Sequence, residues 1–582
     1  MVGVPSKHGG CTTCRRRKKR CDKKTPFCSR CVEAGLVCEG YTRNHSVWIN
    51  SIDGESHKYA TSCGIGQTPT TTTATRRSAA APPATTITLH ESLARIARAD
   101  RYVGLYLAAF LPNGRLFSRQ ASQISSAGWL RHHDELCRSE KTLRLITLAH
   151  GLSMLATRDD DSHLKLKGFE AHRLALQEMH RALQDPQRAT GDGILAAVRL
   201  FRFYEILYGA ESNGRHQENP TGQVNGYYAH TDGEMALFMN RGCRRRWSEA
   251  GMYLLVSGRI VSFILGVGRR KCSPFSDSQW MSAPWKGTPK SPLDELTDVL
   301  VQIPGLLERL DNIRASSVAK RSPKAWNDLL DECIRIEQTL LAWKATMSKE
   351  LRSYDYIHYS DNNPLPMPQV DRDFAVLHMS ALYWSCSILL YTTIHMATNE
   401  ARHQEALLFP SSSSQSSSSS SSSSAFSTSI PFSSPGSPNY HNERNPTLHA
   451  HRIIHTMPLS HGPLAGGYGA LCSTFPLGMA LRYLVVAHLF PHEGEGDGGD
   501  GSSQATERAF LHETVSQPFM RAYTARFIGH LHKVDTRAQS LENVPGWHGV
   551  ELRMKRWWFG PIVEPKSYAI RNPLERTEKK SM

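Results

Sequence analysis

The chain has 582 residues, of which 40% are apolar and 21% are charged, and its formal net charge at pH 7 is +16. This length excludes a single domain, and the composition is that of a soluble protein with enough apolar residues for a large core. The basic balance favours a nucleic-acid partner.

Six cysteines near the N-terminus repeat the spacing C-x2-C-x6-C twice, and the second copy begins 17 residues after the first. A C-x2-C step places two thiolates on one metal, and a third cysteine can close back after a turn of helix. Two tetrahedral zinc ions need eight coordination positions, which six thiolates fill only if two sulfurs bridge both metals. The spacing therefore predicts a binuclear cluster of two zinc ions, with the ligands Cys11, Cys14, Cys21, Cys28, Cys31 and Cys38.

So short a segment buries almost no apolar core. Metal binding must then supply its folding free energy, on the order of 10–16 kcal/mol per structural zinc. The N-terminal module is predicted to contain two short helices around the two metals.

The two halves of this segment differ between their second and third cysteines. Every residue from Arg15 to Arg20 is basic, whereas none between Cys31 and Cys38 is. A short helix beginning after Cys14 would carry Arg15, Lys18 and Lys19 as a cationic rod sized for the major groove of DNA. The second half, with Val32, Leu36 and Val37, is expected to pack against this helix. Residues 1–45 hold 11 Lys or Arg and 3 acids, a net charge of +8.

This motif resembles the DNA-binding domain of the fungal binuclear zinc cluster transcription factors, including Pro26 in the loop between the halves. The resemblance implies that Cys11 and Cys28 bridge, that Cys14 and Cys21 complete one zinc site, and that Cys31 and Cys38 complete the other. It also implies readout of a CGG triplet by basic side chains near the end of the first helix. The matching positions for base contacts are Arg17, Lys18 and Lys19, and a Lys or Arg donating to guanine is the commonest direct readout. The expected phosphate contacts are Arg15, Arg16, Arg20, Lys23 and Lys24.

Two other interpretations of the cysteines remain open at this stage. A disulfide framework requires an oxidising compartment, whereas the first ten residues lack the apolar region of a signal peptide. Two separate four-ligand fingers would need two more ligands, for which His8, His45 or Cys63 are available. The symmetry of the six cysteines favours the shared cluster.

Residues 46–88 are rich in Thr, Ser, Ala, Gly and Pro and are predicted to form a flexible linker. After it, apolar residues recur at alternating spacings of four and three if Asp100 occupies the one missing position. This pattern indicates either the amphipathic first helix of the next domain or a seam through which the chain forms a homodimer. The seam residues would be Leu89, Leu93, Ile96, Val103, Leu107 and Phe110.

Residues 89–403 alternate apolar stripes at helical spacing with short polar breaks, which predicts a large all-α regulatory domain, a helical bundle or solenoid. Leu377–Met396 carries no charge, but its serines, threonines and histidines favour a buried core helix over a membrane span. The expected helices cover 139–157, 163–184, 192–209, 252–266, 293–302, 325–347 and 373–397.

This region also resembles the fungal-specific transcription factor domain, on the phrases YLAAFLPNGRLF (106–117) and HTDGEMALFMNRG (230–242). Residues 404–446 are predicted to be a disordered Ser-rich insertion. Helices are expected to continue over 447–565 around a disordered loop at 493–503, followed by a polar tail at 566–582. In 553–561, the sequence RMKRWWFGP is expected to pack its tryptophans on the helical body.

Catalytic motifs are absent from the sequence: it contains no HExxH, no G-x-S-x-G and no nucleotide-binding glycine loop. We therefore expect a nuclear, sequence-specific DNA-binding transcription factor that regulates RNA polymerase II genes and contacts the transcription machinery or co-regulators, with no membrane partner. The alternative is an interaction or scaffold protein whose zinc cluster is structural and whose DNA binding is non-specific.

Overall fold

The computed structural model describes residues 12–19, 21–22, 28–34, 36, 47–50, 56–59, 91–208, 220–316, 323–360, 362–408 and 441–489. Contacts divide the chain into two compact units, Met1–Thr88 and Leu89–Met582. The first contains the six-cysteine segment and the second contains the helical region.

Unit 1 contains two short helices, α1 (Thr12–Arg16) and α2 (Ser29–Val32). It also contains a hairpin of two antiparallel strands, β1 (Val47–Asn50) and β2 (Ser56–Tyr59), with Val47 opposite Tyr59 and Asn50 opposite Ser56. Val, Trp, Ile and Tyr favour strands, so these eight residues have β propensity within a segment that its overall composition assigned to the linker. The hairpin differs from the flexible linker that the composition of residues 46–88 predicts.

Unit 2 is helical, as the sequence predicts, and its described residues contain no β-strand. Short helices and single 3-10 turns connect the long helices. The first half of the unit contains α3 (Glu91–Phe110), α4 (Arg119–Ser122), α5 (His133–Ser139), α6 (Lys141–Asp159), α7 (Ser162–Leu183), α8 (Pro186–Ala189), α9 (Asp192–Tyr208) and α10 (Pro220–Arg241). The second half contains α11 (Glu249–Arg269), α12 (Ser278–Ser282), α13 (Pro292–Leu300), α14 (Ile303–Ala315), α15 (Pro323–Thr346), α16 (Ser348–Arg352), α17 (Asp371–Leu408), α18 (Pro446–Ser460) and α19 (Gly466–Leu489).

Side-chain caps explain where several of these helices begin. Ser248 accepts from the amide of Gly251 at the start of α11. Ser291 and Asp294 form a capping box at the start of α13, with Pro292 in the first turn. Each cap satisfies amides that lack a partner within the helix.

Helix α17 lies at the centre of one continuous hydrophobic core and packs against α14, α15, α18 and α19. Three of its buried hydroxyls are satisfied within the helix, because Ser385, Ser387 and Thr393 each donate to the carbonyl four residues earlier. Two described helices, α11 and residues 371–402 of α17, are long and apolar enough to cross a membrane, but 78% and 100% of their apolar windows are buried inside the protein. This burial supports the core-helix interpretation of Leu377–Met396.

A buried ion network joins α9, α10 and α11. Glu234 accepts from Arg199 Nε at 2.9 Å and from Arg202 Nη1 at 2.7 Å, and Arg199 also donates to the carbonyl of Leu254. All three charged side chains are buried. Glu234 lies in the sequence HTDGEMALFMNRG (230–242), and its carboxylate links α10 to α9 through the two arginines.

The predicted dimer seam lies on α3, and the two halves of this helix differ in burial. Tyr106 is buried, and Leu107 and Phe110 pack on the core, so the C-terminal half belongs to the helical unit. Leu93 and Ile96 are exposed, and Leu89 lies outside the described residues. Homodimerisation through this segment stays a prediction.

Further predictions fall partly or wholly outside the described residues. Helix α17 continues past residue 403 to Leu408, and α18 begins at Pro446, so only the ends of the Ser-rich segment are described. Residues 490–582, which include the 493–503 loop, the 553–561 phrase and the tail, lie outside the described part of the chain.

Candidate metal centre and nucleic-acid interface

Four of the six predicted ligands are described: Cys14, Cys21, Cys28 and Cys31. Cys14 lies in α1 and Cys31 in α2, while Cys28 is the N-cap of α2, where its Sγ accepts from the amide of Cys31 at 3.4 Å. Cys14, Cys28 and Cys31 are buried together, and Cys21 packs against them. Cys11 and Cys38 lie outside the described residues.

The spacing of the sulfurs fits zinc. Two thiolates on one tetrahedral zinc stand about 3.8 Å apart when each Zn–S bond is about 2.3 Å long. The Sγ atom of Cys14 lies 3.6 Å from that of Cys28 and 3.7 Å from that of Cys31. None of the described cysteines forms a disulfide. The sulfur positions therefore suit a shared metal centre.

Cys28 belongs to both groups of metal-binding atoms found among the described residues. One group is Cys14, Cys28 and Cys31, and the other is Cys21, Asp22 and Cys28; within each, the ligand atoms lie within 4.8 Å of one another. A sulfur common to two groups is what a bridging ligand requires. The resemblance assigns Cys14 and Cys31 to different zinc ions. That assignment does not explain the short distance between their Sγ atoms.

Asp22 has a structural role that the sequence analysis missed. Its Oδ2 accepts from the amide of Ser29, the first residue of α2, at 3.0 Å. This bond satisfies an amide at the start of a helix and ties the connection after Cys21 to the second half of the motif. The signal in the sequence was an acid directly after the third cysteine.

Helix α1 lies earlier in the chain than predicted. The run of basic residues predicts a helix after Cys14 that carries Arg15, Lys18 and Lys19, but α1 begins at Thr12 and ends at Arg16. The amide of Lys19 donates to the carbonyl of Cys14 at 3.0 Å, and Lys18 has a φ of +53°. This is the C-terminal motif in which a left-handed residue reverses the chain. The chain must turn here because Cys21 has to return to the cluster.

The same backbone bond recurs in the second half, where the amide of Leu36 donates to the carbonyl of Cys31 at 2.9 Å. Both bonds span five residues, and their members are offset by the 17 residues that separate the two motifs. At the position that corresponds to Lys18, the second half has Gly35. Glycine adopts a left-handed conformation without the steric cost that a lysine bears.

The basic side chains of the predicted DNA-contacting set that are described all face solvent. Arg16, Arg17, Lys18 and Lys19 are exposed at the end of α1 and in the turn after it, beside the buried thiols. The side chain of Arg15 and all of Arg20, Lys23 and Lys24 lie outside the described residues.

The expected packing of the second half through its apolar residues is wrong for the two residues that are described. Val32 is 64% exposed and Leu36 is 39% exposed. The cysteine side chains form the buried contact between the halves instead. A module of this size has too few apolar residues to enclose both the sulfurs and a separate core.

A family model for the fungal Zn(2)-Cys(6) binuclear cluster domain matches residues 9–46, and a model for the fungal specific transcription factor domain matches residues 115–432. The second match covers more than half of the 582 residues. The chain therefore belongs to the fungal-specific transcription factor family, whose members regulate transcription and are not enzymes. Its N-terminal domain is a zinc-binding, DNA-binding module of the binuclear cluster type.

Similarity to curated proteins is short. The chain is 53% identical over 32 residues to the transcriptional regulatory protein moc3 of Schizosaccharomyces pombe, a stretch that covers 6% of each chain. It is 52% identical over 33 residues to the aspercryptin biosynthesis cluster-specific transcription regulator atnN of Emericella nidulans, which covers 6% of this chain and 5% of that protein. An uncharacterized transcriptional regulatory protein of S. pombe is 48% identical over 33 residues, or 6% of each chain. No solved structure matches.

Proposed function

We propose that this protein is a nuclear, sequence-specific transcription factor that reads CGG-type triplets in DNA and regulates RNA polymerase II genes. The observation that carries the proposal is the cationic turn, Arg16 to Lys19, which is exposed at the end of α1 and just after it. The thiol of Cys14, on the same helix, is buried among sulfurs that could bind a metal. Metal binding at the sulfurs would hold that turn rigidly, so its cations would reach the DNA already positioned.

The backbone of Lys18 supports its assignment to base contact. A left-handed φ is costly for any residue with a Cβ, by about 1–2 kcal/mol. A lysine at a position where glycine would be easier suggests that its side chain has a function. Lys18 and its neighbours Arg17 and Lys19 are proposed to contact base edges, since they follow the helix where the chain turns.

The phosphate contacts are proposed for Arg15, Arg16, Arg20, Lys23 and Lys24. Phosphate contacts fix the position of a protein on the duplex and make its affinity depend on salt, but they carry no sequence information. Arg16, the last residue of α1, is exposed and is the described member of this group.

Two zinc ions are proposed as the cofactor, bound by Cys11, Cys14, Cys21, Cys28, Cys31 and Cys38 and bridged by Cys11 and Cys28. The presence of Cys28 in both groups of sulfur and oxygen ligands supports its bridging role. When bound, zinc supplies the free energy that folds the module. Co-regulators and a second copy of the chain are proposed as protein partners of the helical region.

The alternative function is a scaffold protein in which the cluster is structural. Selection of bound sites from random duplex DNA with the full-length, zinc-loaded chain distinguishes the scaffold from the transcription factor. Enrichment of a CGG-type triplet supports the transcription factor, and two triplets at constant spacing support a dimer. Recovery of unenriched sequences, with equal affinity for matched and scrambled duplexes, would support the scaffold.

A further inference from the structure

Helix α7 packs one side on α6, and within the described part of the chain no other long helix covers the opposite side. The buried side consists largely of small residues, among them Gly168, Ala171, Ala175 and Ala182. These allow a close approach to α6, which is the most extensive helix contact in the described structure. Helix α7 also packs on the short α8, and His172 stacks on Tyr204 of α9 with 4.2 Å between the ring centroids.

The uncovered side carries apolar residues at coiled-coil spacing. Six positions follow alternate steps of three and four, the pattern of residues that meet a partner helix along one seam. Three of them are leucines with exposures of 57% at Leu166, 39% at Leu176 and 45% at Leu183. We call this set the α7 seam: Leu166, Phe169, Arg173, Leu176, His180 and Leu183.

The exposed charged side chains on and beside the seam are mainly cationic. Arg173 occupies a seam position, and Lys165 and Lys167 lie on the same helix. The exposed acid on the helix is Glu170, since Glu178 is buried and pairs with Lys141 and Arg188. An apolar stripe with an arginine within it and an excess of cations around it fits a helix that presents leucines together with carboxylates.

We propose that the α7 seam binds an acidic amphipathic helix of a partner protein. Two copies of the seam fit each other less well, because a parallel pair would set Arg173 against Arg173. The chain's own acidic stretch at 493–503 contains no apolar residue and cannot fill the seam. The inference concerns the helical unit and does not depend on DNA binding.

The test uses the full-length chain and a labelled synthetic helix of about four heptads, with Leu at the seam positions and Glu at the flanking positions. A second peptide has Lys in place of every Glu. Fluorescence anisotropy should show saturable binding of the Glu peptide and at least about tenfold weaker binding of the Lys peptide. Leu176→Lys with Leu183→Lys should weaken binding of the Glu peptide by a similar factor.

Leu174→Lys is the matched control, because Leu174 lies on the same helix outside the seam and is 44% exposed. It should leave binding unchanged, and circular dichroism checks that every variant is folded. Arg173→Glu should weaken binding of the Glu peptide and strengthen binding of the Lys peptide, and misfolding cannot produce such a gain in affinity. Equal losses with Leu174→Lys, or no saturable binding, would overturn the proposal. A concentration-dependent dimer that Leu176→Lys abolishes would assign the seam to a second copy and would overturn it as well.

Discussion

The amide of Lys19 donates to the carbonyl of Cys14 at 3.0 Å, and this bond ends α1 with Lys18 in a left-handed conformation. The bond links the proposed metal centre to the proposed DNA-contacting residues, because Cys14 is a proposed zinc ligand and Lys18 and Lys19 are proposed base contacts. Zinc release should therefore disorder the cationic turn as well as the metal site.

Lys18→Gly separates the backbone role of this residue from its side-chain role. Glycine tolerates the φ of +53°, so this change should leave the module as stable or stabilise it by about 1 kcal/mol. Base discrimination should fall by about 1–3 kcal/mol, as it should for Lys18→Ala. Competition between matched and scrambled duplexes measures discrimination, and resistance to zinc chelation measures stability. Full discrimination in Lys18→Gly would refute a base contact by this side chain.

Arg16→Ala tests the phosphate assignment. Loss of one phosphate contact should weaken binding to matched and scrambled sites alike and reduce the salt slope by about 1. Binding is measured as a function of salt concentration, with Lys18→Ala as the comparison. If Arg16→Ala lowered affinity for the matched site alone, Arg16 would belong with the base contacts.

Cys28→Ala should affect both metal ions, because a bridging sulfur serves both. The expected result is loss of tightly bound zinc from both sites, measured as zinc per chain after dialysis. Cys21→Ala, which removes a terminal ligand, should weaken one site more than the other. Cys272→Ala is the control, since this thiol is exposed in the helical unit and should not change the zinc content. One zinc tightly held in Cys28→Ala would contradict the bridge.

Glu234→Ala should strongly destabilise the helical unit. It leaves the guanidinium groups of Arg199 and Arg202 buried without their carboxylate, and breaking such a pair typically costs about 3–5 kcal/mol. Thermal unfolding of the full-length chain followed by circular dichroism measures the loss. Glu170→Ala, at an exposed position on α7, should change stability by no more than about 0.5 kcal/mol. Similar unfolding temperatures for the two variants would show that the network contributes little.

Acid should destabilise the helical unit well above the pH at which carboxylates titrate. Burial lowers the pKa of both His150 and His378 to about 4. Each histidine takes up a proton more readily in the unfolded chain, where its pKa is about 6.5, than in the folded one. The stability of the neutral folded form is therefore complete above pH 6.5 and is lost as the pH falls towards 4.

The measurement is the thermal unfolding midpoint between pH 7 and pH 4. His378→Gln, which removes one of these groups, should reduce the fall. His163→Gln, at an exposed position at the start of α7, should leave it unchanged. A midpoint that stays constant across this range would contradict the prediction.

The cysteine spacing alone predicted that the sulfurs meet, and Cys14, Cys28 and Cys31 are buried together, because local geometry brings the sulfurs of C-x2-C close to each other whatever surrounds them. The helical class of the second unit followed in the same way from apolar periodicity, since each amphipathic helix needs a surface to cover its stripe. The lack of charge in Leu377–Met396 likewise pointed to the buried middle of α17. These are properties of short stretches of chain.

The tertiary structure decided how those stretches meet. The left-handed conformation of Lys18 arises because the chain has to reverse after Cys14, and the conformational propensity of lysine does not predict it. The partners of Glu234, Arg199 and Arg202, lie more than thirty residues away on another helix, and Leu176 is exposed although its helix is amphipathic. Pairing and exposure depend on which helix faces are covered by others, and that is settled only when the whole core assembles.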